Sequence, residues 1–126
     1  MSSDVIRMTI PAVLAYARLP RVAVAGLATR SGFSYDEVED LRLAIGEVCQ
    51  VLLDGADRDG TLTVSFTIER GRMGIEVVSD GPAGRNDGAG EKLSGQLIEA
   101  TVGAVDVSDE GRRISFTKVA VDDDLD

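Results

Sequence analysis

The sequence predicts an α+β fold: a two-layer sandwich with helices on one face of a mixed, mostly antiparallel sheet. The predicted order is strand, two helices, two strands, a glycine-rich loop, a short helix and two strands, so helices and strands do not alternate regularly. The 126 residues are 44% hydrophobic, which is enough for one buried core. We therefore expect one domain over residues 1–126, with its core at about 5–121 and an acidic, solvated tail at 122–126.

The first third of the chain predicts a strand followed by helix. Asp4–Ile10 alternates between two sets of side chains, as a half-buried strand does. Residues 12–30 are rich in Ala, Leu and Val, but Pro20 interrupts them. Because proline breaks a helix interior, we expect a short helical turn, a kink near Pro20, and then a helix to about Thr29.

The next helix has the clearest local signals. Ser34 followed by Glu37 is a capping box, and acidic residues fill the first turns. The helix is predicted to run to about Leu53 and to end at Gly55. Its apolar residues recur at spacings of three and four, which predicts one buried stripe: Val38, Leu41, Ile45, Val48 and Leu52.

The second half predicts two hairpins separated by a glycine-rich loop and a short helix. Alternating apolar residues mark the strands, and glycine-containing turns join them. The predicted elements are strands Thr61–Glu69 and Met73–Ser79, the loop Asp80–Gly90, helix Leu93–Thr101, and strands Ala104–Val107 and Arg112–Val119.

Composition excludes several functions. With 22 acidic against 13 basic side chains, net −9, the chain would be repelled by phosphate backbones, so no direct nucleic-acid binding is expected. It contains no histidine, which removes Ser-His-Asp and Cys-His catalysis and histidine-based metal sites. Cys49 is the single cysteine, so no internal disulfide is possible. With no signal peptide and no membrane-spanning window, we expect a cytoplasmic protein without membrane association.

The helix sequence GFSYDEVEDLRLAIGEVC at Gly32–Cys49 resembles the GFSYDEIEDLKLAISEAC pattern of the bacterial anti-sigma factor serine/threonine kinases. These proteins belong to the histidine-kinase-like (GHKL) ATPase superfamily. The resemblance is specific in this helix and looser elsewhere, although the element order matches from about Val5 to Val121. It implies a histidine-kinase-like ATPase fold.

The family's helix continues into an E-x-x-x-N motif. Its glutamate is the general base, and its asparagine holds the magnesium that bridges the phosphates. Glu47 matches the base, which implies a vestigial catalytic role; without the resemblance it would be an ordinary solvated glutamate. Val51 stands at the asparagine position and offers no oxygen, so no metal ligand is predicted there.

Two further family motifs are altered. In the D-x-G-x-G box, Asp80 would accept from the adenine amino group and Gly84 is kept, but Pro82 replaces the first glycine. In the phosphate-binding turn, Gly95 matches and Lys92 could meet a phosphate. The resemblance thus implies ATP and magnesium as cofactors, while the altered motifs make both doubtful.

The resemblance also implies the partners. The main hypothesis is an anti-sigma factor of a stress-response partner-switching system. It would sequester an alternative sigma factor and be released by an anti-anti-sigma protein of the STAS type, while acting as a homodimer. By analogy, the partner-binding residues are Arg18, Arg21, Asp36, Glu39 and Asp40.

Two alternatives stay open. One is an active Mg-ATP-dependent serine kinase that phosphorylates the anti-anti-sigma factor, using Glu47 and Asp80. The other is a structural pseudo-enzyme domain that regulates some other target. Val51 and Pro82 favour the anti-sigma factor or the pseudo-enzyme over the kinase, and nothing in the sequence separates those two.

Overall fold

In the part of the chain that the structure describes, a five-stranded antiparallel sheet carries two α-helices on one face. The structure, a computed structural model, describes residues 3–54, 59–80, 105–108 and 112–121. The sheet order is β1-β2-β3-β5-β4, and all of its described pairings are antiparallel. The elements are β1 (Asp4–Pro11), α1 (Arg18–Arg30), α2 (Tyr35–Asp54), β2 (Thr61–Glu69), β3 (Arg72–Asp80), β4 (Val105–Ser108) and β5 (Arg113–Val119). The predicted α+β class is confirmed.

The core lies between α2 and the sheet because each strand has one apolar face. On β2, Leu62, Val64 and Phe66 are fully buried, while the alternate threonines and serine face away from α1 and α2. The five residues predicted to form the stripe of α2 are all buried. The side of the sheet away from the helices is polar and lines a shallow groove of about 660 Å³.

The beginning of α1 differs from the prediction. A single 3-10 turn over Leu14–Tyr16 precedes α1, which begins at Arg18 without a further break. Pro20 is thus the third residue of α1, where backbone N–H groups have no partner within the helix, so proline costs no hydrogen bond. The predicted interruption therefore lies before Pro20. After α1, Gly32 adopts a φ of 94°, which favours glycine.

The start of α2 has the predicted capping box. The Ser34 N–H donates to Glu37 Oε1 at 2.8 Å, and the Glu37 N–H donates to Ser34 Oγ at 3.2 Å. Within the described part of the chain, neither α2 nor any other helix is long and apolar enough to cross a membrane.

Three hydrogen bonds join this end of the helical layer to the sheet. Gly71, in the β2–β3 turn with a φ of 72°, donates its N–H to the carbonyl of Ser31 at 2.7 Å. The carbonyl of Gly71 accepts from Ala120 N–H at 2.8 Å, and the Val121 N–H donates to Glu37 Oε2 at 2.6 Å. These contacts fix α2 relative to the strands.

Several predicted features lie outside the described residues. They are the end of α2 at Gly55, the loop at 81–90, the helix at 93–101, the turn at 109–111 and the tail at 122–126.

Candidate functional site

Helix α2 has two flanks with different neighbours. Because consecutive helical residues are about 100° apart, Glu39, Arg42 and Gly46 share the flank that faces α1. Residues four or eleven apart also align, which places Asp40, Glu47 and Val51 on the opposite flank. The second flank carries both positions of the predicted E-x-x-x-N motif.

The motif positions differ in burial. Glu47 is half-buried, and Val51 is only 4% exposed. The neighbouring Gln50 is exposed and donates from Nε2 to Asp54 Oδ1 at 3.3 Å. Its amide is therefore hydrogen-bonded to a residue one turn along the outer surface of α2. An apolar, buried side chain therefore occupies the predicted metal-ligand position, and the adjacent amide does not replace it. These residues do not fit a magnesium ion held as in the family motif.

Asp80 ends β3 at the edge of the predicted nucleotide site. It pairs with Thr61, the first residue of β2, and its side chain is exposed. An exposed carboxylate at a strand end can accept a hydrogen bond from a ligand amino group. The remaining predicted nucleotide residues, Gly84, Lys92 and Gly95, and the substituted Pro82 lie outside the described residues.

The five predicted partner-binding residues do not form one cluster. Arg18 and Arg21 are exposed on α1, and Asp36 is exposed in the first turn of α2. Glu39 forms an ion pair with Arg42 at 3.0 Å. Asp40, on the other flank, lies 3.4 Å from the Nζ of Lys118 on β5.

Glu37 lies within the acidic run Asp36–Asp40 at the start of α2 but has a structural role. It is 8% exposed, and burial raises its pKa. Backbone hydrogen bonds from Ser34 and Val121, the Ser34 hydroxyl and the charge of Lys118 outweigh burial, so the pKa of Glu37 is lowered from its ordinary 4.5. The acidic run therefore does not present a continuous negative surface.

Cys49 is part of the core. Its side chain is fully buried, and burial raises the pKa of the thiol to about 12. A thiol with such a pKa is protonated and unreactive at neutral pH. The cleft between α1 and α2, by contrast, was not predicted from the sequence. It has a volume of about 350 Å³ and is lined by Ala25, Thr29, Phe33, Tyr35, Val38, Glu39 and Arg42.

The arrangement supports binding more directly than phosphoryl transfer. Phosphoryl transfer depends on a clamped metal and on positioning, and the flank that would hold the metal presents Val51. Glu47 and Asp80 keep carboxylates at two positions of the predicted nucleotide site, while α1 and the first turn of α2 expose charged side chains to solvent.

Two curated proteins that are similar to this chain have the same name. The chain is 36% identical over 91 residues to the serine-protein kinase RsbW of Halalkalibacterium halodurans, covering 71% of this chain and 56% of that protein. It is 32% identical over 83 residues to the serine-protein kinase RsbW of Bacillus subtilis, covering 64% and 52%. The chain thus spans about half the length of these curated relatives. No family model matches it.

A solved structure has the same fold. The chain aligns over 97% of its length with the crystal structure of the RsbU and RsbW domains of Rv1364c from Mycobacterium tuberculosis, with a TM-score of 0.66. The identity is 18%, and 35% of that chain is covered. The likeness therefore concerns the fold.

Proposed function

The chain belongs to the same family as the bacterial proteins named serine-protein kinase RsbW, and from this premise we propose that it is an anti-sigma factor. It sequesters an alternative sigma factor in the cytoplasm. An anti-anti-sigma protein of the STAS type releases that sigma factor by binding the same regulator. ATP binding is weak or lost.

One observation carries this proposal over a catalytic one: Val51 is buried at the family's magnesium-ligand position. A metal-dependent phosphoryl transfer becomes slower by orders of magnitude when the metal loses its oxygen ligand, whereas a protein-binding surface does not need a metal ligand. The fold and the charged helix surface remain, and capture of a partner requires only these.

The second candidate function is an active Mg-ATP-dependent serine kinase that phosphorylates the anti-anti-sigma protein. It is favoured by the half-buried Glu47 at the general-base position and by the exposed Asp80 at the end of β3. ATP and magnesium are plausible for the family. In this chain the kinase would need a metal ligand from elsewhere than position 51.

A homodimer is part of the proposal. The face of the sheet away from α1 and α2 offers a surface for a second copy, carrying Val5 and Arg7 at one edge and Asp106 at the other. Sedimentation equilibrium of the purified protein tests this directly. A mass of one chain across micromolar concentrations would refute the dimer.

Capture itself is tested with the sigma factors of the source organism, each purified and titrated against the immobilised protein. We expect one of them to bind with a dissociation constant in the nanomolar to micromolar range, without nucleotide. Binding should be the same for the Glu47→Gln variant, because Glu47 belongs to the nucleotide flank. If no sigma factor binds, or if binding requires Mg-ATP and Glu47, the proposal is wrong.

A further inference from the structure

The cleft between α1 and α2 is lined mainly by apolar side chains from both helices and from the segment that joins them. Phe33 and Val38 are each 7% exposed and form its floor, and Ala25 belongs to the α1 wall. Its volume of about 350 Å³ lies near the lower end of the range of about 300–1,000 Å³ that is typical of small-molecule sites. The cleft can therefore hold the apolar part of a small ligand.

Aromatic residues are concentrated at this cleft. The chain contains three phenylalanines and two tyrosines, and two of these five side chains, Phe33 and Tyr35, line the cleft. Tyr35 is 78% exposed at the rim, where its ring is accessible to a ligand. Because aromatic rings attract one another in offset-stacked and edge-to-face arrangements, this lining favours a ligand that carries an aromatic ring.

Arg42 supplies hydrogen-bond donors at the mouth of the cleft. Its Nη1 donates to both carboxylate oxygens of Glu39, at 3.2 and 3.0 Å. A guanidinium has five N–H donors in a planar fork, so this pair leaves the N–H groups of Nε and Nη2. Within the ranges that the structure describes, these groups have no protein partner. The Nε and Nη2 side of the fork can bind a carboxylate through two parallel hydrogen bonds.

The existing contacts decide the charge of the ligand group. An amine would have to compete with Arg42 for the oxygens of Glu39, whereas a carboxylate meets N–H groups that are free. The Thr29 hydroxyl already donates its proton to the carbonyl of Ala25 at 2.7 Å. The donors that the cleft can still offer therefore belong to a cation, which favours an anionic acceptor.

The cleft is separate from the predicted nucleotide site. Glu39 and Arg42 lie on the flank of α2 that faces α1. Glu47 and Val51 lie on the opposite flank, and neither they nor Asp80 line the cleft. A ligand bound here would therefore not occupy the place of ATP.

We propose that the cleft is a binding site for a small aromatic carboxylate. Its ring packs among Ala25, Phe33 and Val38, and its carboxylate accepts hydrogen bonds from Nε and Nη2 of Arg42. The lining covers one turn of each helix, Ala25 to Thr29 and Val38 to Arg42, or about 6 Å. This length suits a single small molecule and is too short for a partner helix. The inference goes beyond the proposed anti-sigma function and does not depend on it.

The probes are phenylacetate and analogues that each change one feature. Phenylacetamide keeps the shape without the charge, phenethylamine reverses the charge, and acetate lacks the ring. An acetylated tripeptide that ends in phenylalanine presents the same ring and carboxylate as part of a chain. Binding to the full chain is followed by amide shifts in two-dimensional NMR, in a buffer without carboxylates.

Each variant in the cleft has a matched control outside it. Arg42→Gln removes the guanidinium at the mouth, and Arg30→Gln makes the same change at an exposed position of α1 that does not line the cleft. Ala25→Leu fills the cleft. Gly26→Leu adds a leucine at the next position, where a Cβ atom would have no atom within 4 Å. Circular dichroism and thermal unfolding establish that each variant is folded.

Phenylacetate should bind the wild-type protein with a dissociation constant on the order of a millimolar, with shifts at Ala25, Thr29 and Val38. It should bind at least about fivefold more tightly than phenylacetamide, and acetate and phenethylamine should bind more weakly still. Arg42→Gln should make the acid and the amide equal in affinity, and Ala25→Leu should weaken both. The two control variants should bind phenylacetate as the wild type does.

Equal affinity of the wild type for phenylacetate and phenylacetamide would overturn the inference, as would shifts confined to other surfaces. Equal losses in Arg42→Gln and Arg30→Gln would also overturn it, because general charge attraction would then explain the binding. Tighter binding of the tripeptide than of phenylacetate would assign the cleft to a protein C-terminus and not to a small molecule. The titration with sigma factors is a separate measurement, so failure of this site and failure of the proposed function are distinguishable.

Discussion

Replacing Glu37 with alanine should destabilise the protein more than any other single change in the acidic run. The carboxylate accepts hydrogen bonds from the backbone N–H groups of Ser34 at 2.8 Å and Val121 at 2.6 Å, and it is 8% exposed. Hydrogen bonds to a charged group contribute about 1.5–3 kcal/mol each, and loss of a cap costs about 1 kcal/mol. Because these effects overlap, we expect Glu37→Ala to lower the free energy of unfolding by about 3 kcal/mol.

The assay is urea denaturation at pH 7, followed by circular dichroism. Asp36→Ala is the control, because Asp36 precedes Glu37 in the same first turn but is exposed; it should cost less than about 1 kcal/mol. Glu37→Gln keeps one acceptor oxygen, so its loss of unfolding free energy should lie between those of Glu37→Ala and Asp36→Ala. A Glu37→Ala variant no less stable than Asp36→Ala would refute the proposed role of the carboxylate.

Glu37 should also make the stability of the protein depend on pH. Folding lowers the pKa of Glu37 below 4.5, so its stabilising contribution is complete above that pH and is lost as the pH falls through the lowered value. The stability difference between wild type and Glu37→Gln should therefore shrink on acidification below pH 4.5. A difference that grows in this range would contradict the direction of the shift.

Three further experiments test other features of the molecule. Gly46→Ala should stabilise α2 by about 0.5–1 kcal/mol in thermal unfolding, because the added Cβ meets only the flexible Arg21 side chain at 3.4 Å; marked destabilisation would show that the contact is rigid. Cys49 should not react with a thiol reagent at pH 8 unless the protein unfolds, since burial raises its pKa to about 12; rapid labelling of the native protein would contradict this. Val51→Asn combined with Pro82→Gly should raise nucleotide affinity, measured by calorimetry, above that of wild type, whereas an unchanged affinity would mean that these two residues do not weaken the site.

Local patterns allowed the sequence to predict most of the described fold. The capping box at Ser34, the stripe of α2 and the limits of β2 depend on neighbours a few residues apart, and all were confirmed. The interruption before α1 was misplaced because Pro20 is tolerated in a first helical turn, and composition does not locate that turn.

The candidate site was harder to predict because it depends on tertiary neighbours. The sequence suggested that the acidic run from Asp36 to Asp40 forms one surface, yet its members have different partners. Glu39 pairs with Arg42 one helical turn away, whereas Asp40 and Glu37 contact Lys118 and the backbone of Val121, which are distant in the sequence. The cleft between α1 and α2 also depends on how the two helices pack, which one sequence does not reveal. Residues 5–35 contain four arginines and no acidic residue, which was the available sequence signal that α1 has a basic surface.

Calorimetric titration of the purified protein with ATP, with and without magnesium, tests the central claim most directly. We predict no heat of binding, or millimolar binding that is indifferent to magnesium, because buried Val51 cannot supply the metal ligand. Micromolar, magnesium-dependent binding would contradict the claim, since the chain would then hold Mg-ATP as a kinase must.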